Sequence, residues 1–152
     1  MAIYVGGTAS ANQLDDYEEG TYTPTMQTDN GVNCGTSQTA TGTYIKIGRL
    51  VYTTLSMNVN SFSGVNTSAY IRIHLPFTPA NEGGIGTEGN MFVSVFSIGT
   101  SSVSWMGGEV QNGFNFAYVM YHNGSNNNTN VMTGANANGS FTIRATVMFR
   151  TP

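Results

Sequence analysis

Four carboxylates are packed into five positions, Asp15, Asp16, Glu18 and Glu19. Hard divalent cations take several carboxylate oxygens, but this run lacks the glycine and the alternating oxygen spacing of a calcium loop. It reads as a solvated turn, with no metal and no cofactor expected. The remaining acids, Asp29, Glu82, Glu88 and Glu109, fall in Gly- and Asn-rich stretches. Glycoside hydrolysis needs two carboxyl groups about 5–9 Å apart, and loop acids are more often dispersed for solvation. His74 and His122 are the two imidazoles, and neither a nucleophile elbow nor a phosphate-loop lysine accompanies them. No catalytic residue is assigned, and the chain is read as no enzyme.

Binding chemistry is better represented. Trp105, the single tryptophan, sits between Ser104 and Met106-Gly107-Gly108. Its ring suits stacking on the CH face of a sugar, or burial in a core or interface. Tyr121 and His122 lead into a polar run whose amides are Asn123, Asn126, Asn127, Asn128 and Asn130. Amides both donate and accept, which fits a neutral polysaccharide. These eight residues are the candidate receptor-binding set. Arg72 and Arg144 lie in runs otherwise short of charge. Pairing with Glu82, Glu88 or Glu109, or with a backbone carbonyl, is the structural expectation for them; contact with an anionic glycan or a neighbouring subunit is the functional one. Cys34, the only cysteine, lies between Asn33 and Gly35 and is expected to be a free, partly exposed, unreactive thiol.

The elements that must hold these groups are legible from composition and period. Charged residues make up 9% of the 152 positions, against about 25% in an average domain, while Asn, Gly, Ser and Thr together fill 69. The surface is therefore neutral and polar, and with a net charge of −3 no nucleic-acid partner is expected. No apolar run reaches the roughly 18 residues of a membrane helix, so no membrane insertion is expected. The opening residues lack the basic and apolar regions of a signal peptide. A hydrophobic content of 39% is enough for a packed core.

From Thr21 onward the period is two. Val51, Thr53, Leu55, Met57 and Val59 alternate with polar neighbours; so do Ala69, Ile71, Ile73 and Leu75, and Phe141, Ile143, Ala145, Val147 and Phe149. Phe114, Phe116, Tyr118 and Met120 form a fourth such set, and weaker strands are read at 21–27, 43–47, 91–98 and 103–106. About eight strands with Gly/Asn turns predict an all-β fold, a two-sheet antiparallel β-sandwich of jelly-roll type. The expected core includes Leu55, Met57, Ile71, Ile73, Phe116, Ile143 and Val147. Residues 1–20 read as a connector with a helical turn, in which Leu14 and Tyr17 share a face, and residues 21–152 as the β-sandwich domain. Tyr52, Tyr70, Phe92, Phe96, Val119, Tyr121 and Met148 fall on faces read as outward, which predicts a subunit interface.

Leu14-Asp15-Asp16-Tyr17-Glu18-Glu19-Gly20-Thr21-Tyr22-Thr23-Pro24-Thr25 resembles a linker signature of bacteriophage fibre and tailspike proteins. Gly42-Thr43-Tyr44-Ile45-Lys46-Ile47-Gly48-Arg49-Leu50-Val51 is similar to that family's GxYxKIGxLV strand pair. The resemblance covers about residues 3–27 and 42–55. It implies a virion location and a trimeric distal β-sandwich on a phage fibre; in such a homotrimer Leu14 and Tyr17 are expected at the axis, and the connector is expected to attach to other virion proteins. It also implies recognition of a host-surface receptor, a glycan on the loop chemistry above. A purely structural decoration or fibre-tip domain is the alternative expectation, and a polysaccharide-depolymerising tailspike a third.

Overall fold

The structure, a computed structural model, describes residues 3–4, 13–14, 16–35, 38–60, 62, 65–83, 87–97, 103–124, 128–137 and 139–152. Among the described residues all regular structure is β. The strands are β1 (Ile3–Tyr4), β2 (Gln13–Leu14), β3 (Tyr17–Tyr22), β4 (Met26–Thr28), β5 (Gln38–Ile47), β6 (Leu50–Val59), β7 (Ile71–His74), β8 (Thr87–Ser97), β9 (Trp105–Gln111), β10 (Phe116–His122), β11 (Thr129–Val131) and β12 (Phe141–Arg150). β1 and β2 pair with each other, and the other ten form one antiparallel sheet. Its order is β3-β5-β6-β12-β8-β9-β10-β7-β4, with β11 on the same edge of β10 as β7.

The all-β class agrees with the sequence reading. The two-sheet sandwich is replaced by a single sheet curled into a half-barrel, and the chain path explains why. β3 and β4 are the two ends of the strand order, yet only residues 23–25 separate them in sequence. Four Cα steps reach at most about 14 Å, so the sheet must bend its ends toward each other. Pro24, which has no N–H to offer a ladder, sits buried in that link. Gln38, the first residue of β5, clasps the far edge strand. The Met26 N–H donates to its Oε1 at 2.8 Å and its Nε2 donates to the Met26 carbonyl at 2.6 Å.

Curling puts one sheet face inside. Val51, Leu55, Met57 and Val59 of β6 meet Phe141, Ile143, Val147 and Phe149 of β12, with Ile71 and Ile73 of β7 and Met26 of β4 in the same core. All seven expected core residues are buried, but Phe116 is buried on the other side of the sheet from the rest. On β10 it is Ala117 and Val119 that face the core, while Phe116 and Tyr118 face out with Arg72 and His74 of β7. Val119 and Tyr121, read as outward, therefore point inward. β8 carries a second surprise. The β8–β12 register shifts between Arg144 and Ala145, so Val93 and Phe96, three apart, both pack against the core.

The helical turn is the other correction. Residues 17–20, read as part of a helical connector, belong to β3, and the sheet begins at Tyr17 rather than Thr21. The reason lies in a repeated tripeptide. Gly20-Thr21-Tyr22 pairs antiparallel with Gly42-Thr43-Tyr44, so Gly20 faces Tyr44, Thr21 faces Thr43 and Tyr22 faces Gly42. Each tyrosine ring lies over the glycine opposite, in the space a Cβ would need. Cross-strand packing of this kind outweighs the weak helical preference of a short acidic segment. The two pieces that carry the family resemblance are thus one paired unit.

Candidate receptor-binding site and assembly face

Three of the four clustered acids belong to described residues, and each has a partner from the β3–β5 pair. The Lys46 ammonium donates to both Asp16 oxygens at 2.7 and 2.8 Å, the Tyr44 hydroxyl to Glu18 at 2.7 Å and the Tyr17 hydroxyl to Glu19 at 2.6 Å. Donation to a carboxylate raises both tyrosine pKa values above the ordinary phenol. The cluster serves as edge-strand fastening. Tyr17, expected at a trimer axis, is exposed; the side chain of Leu14 and all of Asp15 lie outside the described residues.

Glu82 and Glu88 are also engaged. Arg49 and Arg150 hold Glu82 from two sides, at 2.6 and 2.7 Å, and Arg150 stands 3.7 Å from buried Glu88. The Arg49 guanidinium, helped by Arg150, keeps the Glu82 carboxyl below the usual carboxylate range. Arg49 and Arg150 thus take Glu82 and Glu88, two of the three acids expected to pair with Arg72 and Arg144. Instead, Arg72 stacks on Phe116, its guanidinium carbon 4.4 Å from the ring centre. Arg144 is exposed and makes no ion pair among the described residues. Cys34 overturns its expectation too. It is buried in the core beside the β4 turn, and burial pushes its thiol up to about 12.

The structure brings most of the candidate receptor set to one end of β9, β10 and β11. Trp105 pairs with His122, Tyr121 with Asn130, and His122 with Thr129. His122 Nδ1 accepts the Gly124 N–H at 3.1 Å and lies 3.1 Å from the Ser104 hydroxyl, which holds the turn after β10 in place. Asn130 Nδ2 donates to the Asn128 carbonyl at 3.2 Å. Asn123 is half-buried at the start of this turn. Tyr121 points to the core side and is half-buried, so its ring is not on the surface with Trp105. Asn126 and Asn127 lie outside the described residues. The polar run is also shorter than it reads, because residues 129–131 are strand β11.

Trp105 is not a core residue. It is 49% exposed, and its ring crosses Gly107, which stands opposite Phe92. It therefore closes one end of an apolar stripe on the outward face of the sheet. Ile45, Tyr52 and Met148 are direct cross-strand neighbours, Ile47 faces Leu50, and Phe92 lies one step along on β8. These six side chains are each 40–62% exposed. Beyond the stripe the same face turns to hydroxyls. A groove of about 290 Å³ is lined by Thr43, Thr54, Ser56, Ser94, Thr146 and Arg144. Thr43 and Thr54 meet across it at 2.9 Å.

Sequence reasoning missed a further cluster on β10 and β7, where Phe114, Phe116, Tyr118, Tyr70, Arg72 and His74 gather on the outward face. The only signal was the presence of apolar residues at both parities of the 114–121 run. No family model matches this chain, and no curated protein or solved structure matches it.

Proposed function

We propose that this chain is a non-enzymatic module of a bacteriophage virion, from a tail fibre, which assembles as a homotrimer and recognises a host cell-surface glycan. The connector joins it to other virion proteins. The observation that carries this reading is the outward stripe of Ile45, Ile47, Leu50, Tyr52, Phe92 and Met148. A charge-poor face with this many half-exposed large apolar groups is the composition of a surface that meets another copy. The resemblance of residues 14–25 and 42–51 to phage fibre linkers supports the virion setting, and these two pieces lie paired as β3 and β5. The amide-rich end of β9–β11 supports a neutral glycan as the receptor class. Light scattering on the purified chain tests the assembly: three times 16.2 kDa is expected, and a mass near 16.2 kDa would remove it. A glycan array tests the recognition, and size analysis of host polysaccharide after incubation separates binding from depolymerisation.

A further inference from the structure

The outward faces of β10 and β7 carry a different arrangement of rings from the assembly stripe. Phe114 stacks on Phe116 at 5.6 Å with an interplanar angle of 29°, Phe116 meets Tyr118 edge-on at 5.3 Å, and Tyr118 meets Tyr70 at 6.0 Å. Phe114 is 59% exposed and Tyr70 46%, at the two ends of this row. Between them the Arg72 guanidinium lies over Phe116. Its Nε is buried without an acceptor, and no side chain among the described residues accepts a hydrogen bond from Arg72. His74 is tied to Gln27 at 2.8 Å, and Glu109 stands opposite Tyr118 on β9.

We propose that this shelf is a binding site for a neutral saccharide, with pyranose faces lying on Phe114 and Tyr70 and sugar oxygens accepting from Arg72. The inference rests on the glycan-recognition reading above and assigns its site. The ligand class follows from three features. Exposed rings held by stacking at Phe114 and edge to face at Tyr70 present flat apolar surface matched to axial C–H groups, and their mutual packing means little side-chain freedom is lost on binding. Arg72 is half-buried, no side chain among the described residues accepts from it, and its terminal N–H groups can donate to sugar oxygens. Glu109 beside the shelf and Asp29 near Tyr118 together outweigh the single positive charge of Arg72, so a polyanion gains nothing there. A second copy of the chain is a poorer occupant, because it would bury Arg72 and His74 against the apolar groups that the stripe offers.

The experiment is an array of neutral and acidic bacterial oligosaccharides probed with the purified chain, followed by titration of one neutral hit. Phe114→Ala, Tyr70→Ala and Arg72→Gln are compared with Trp105→Ala, which tests the β9–β11 end, and with Val95→Ala as the control, each checked for an unchanged melting curve. The expected result is a loss of about tenfold or more in affinity for each shelf variant, larger than any loss for Trp105→Ala, with the exposed Val95→Ala control staying within about twofold. Binding of the neutral hit should change little between low and high salt. A hit bound equally by all three shelf variants but lost by Trp105→Ala would overturn the shelf while leaving glycan recognition standing. Hits confined to acidic saccharides would overturn the neutral ligand class. No binding by the wild-type chain to any saccharide would overturn both.

Discussion

The two aromatic regions of the outward face use similar residues in opposite ways. On β5, β6, β12 and β8, Tyr52 and Phe92 make no ring contact with another described aromatic, and their neighbours are Ile45, Leu50, Met148 and Thr146. On β10 and β7 the rings contact one another and a guanidinium. An isolated half-exposed ring gains most from a broad apolar partner that removes it from water. A row of rings already locked by stacking and edge-to-face contacts, with a guanidinium in its midst that no described side chain engages, is organised for something small and polar. Residue type alone does not distinguish these fates; the neighbours across the strands do.

The comparison can be broken from beneath. Ile73 is fully buried and sits between Arg72 and His74 on β7, so Ile73→Ala removes the floor of the shelf. It is expected to destabilise the fold by about 2–5 kcal/mol in urea unfolding. A change under about 1 kcal/mol would mean that the site collapses around the smaller side chain.

Two glycines sharpen the contrast. A Cβ on Gly89 would strike the Met148 carbonyl under the stripe, and one on Gly108 would strike the Tyr118 carbonyl under the shelf. The obstacles are backbone atoms, so strands must separate. Gly89→Ala and Gly108→Ala should each destabilise by about 1–3 kcal/mol. The first is expected to weaken assembly and the second saccharide binding; the reverse assignment would contradict the division of the face.

On the stripe itself, Tyr52→Ser and Phe92→Ser each remove about 1 kcal/mol of burial per copy in an assembly. The pair together should shift the light-scattering mass toward 16.2 kDa without changing shelf binding per chain. An unchanged mass would place the contact between copies elsewhere.

The smallest effect concerns acid. Glu82 is held below the usual carboxylate range by Arg49 first and then Arg150. A lowered native pKa means its contribution to stability is present above the unfolded value, about 4.3, and is lost as pH falls through the native value. Because the carboxyl is solvent-screened, Glu82→Gln should lower the melting temperature slightly at pH 7 and leave it unchanged at pH 2. Equal losses at both pH values would show that charge is not what Glu82 contributes.

Much of the scaffold was legible because some strands alternate cleanly. Ile71 and Ile73, Leu55 and Met57, and Ile143 and Val147 have polar or small neighbours, so one face only can be inside. The 114–121 run offers apolar groups at both parities, and there size misled. The larger Phe116 and Tyr118 went outward, and Ala117 and Val119 went inward, against Met106 and Val110 of β9 in the same core. Of the candidate site, Trp105 and His122 were legible by residue type and only the β9–β10 register made them neighbours, whereas the shelf was invisible because Tyr70, Arg72 and Phe116 meet only through the β7–β10 register.

By itself the sequence determined that this protein is all β, poor in charge, and bound to form strands within 51–59, 69–75 and 141–150. Those properties follow from composition and a period of two, which are local. Only the tertiary structure decided that Tyr17–Tyr22 is a strand, that one sheet curls where a sandwich was expected, and which rings face water. The alternation of a half-buried strand is the same in a sandwich and in a curled sheet. What separates them is which strand lies beside which, and that is set by the three-residue link between the sheet's two ends, the Gly-Tyr pairing of β3 with β5, and the volume left inside.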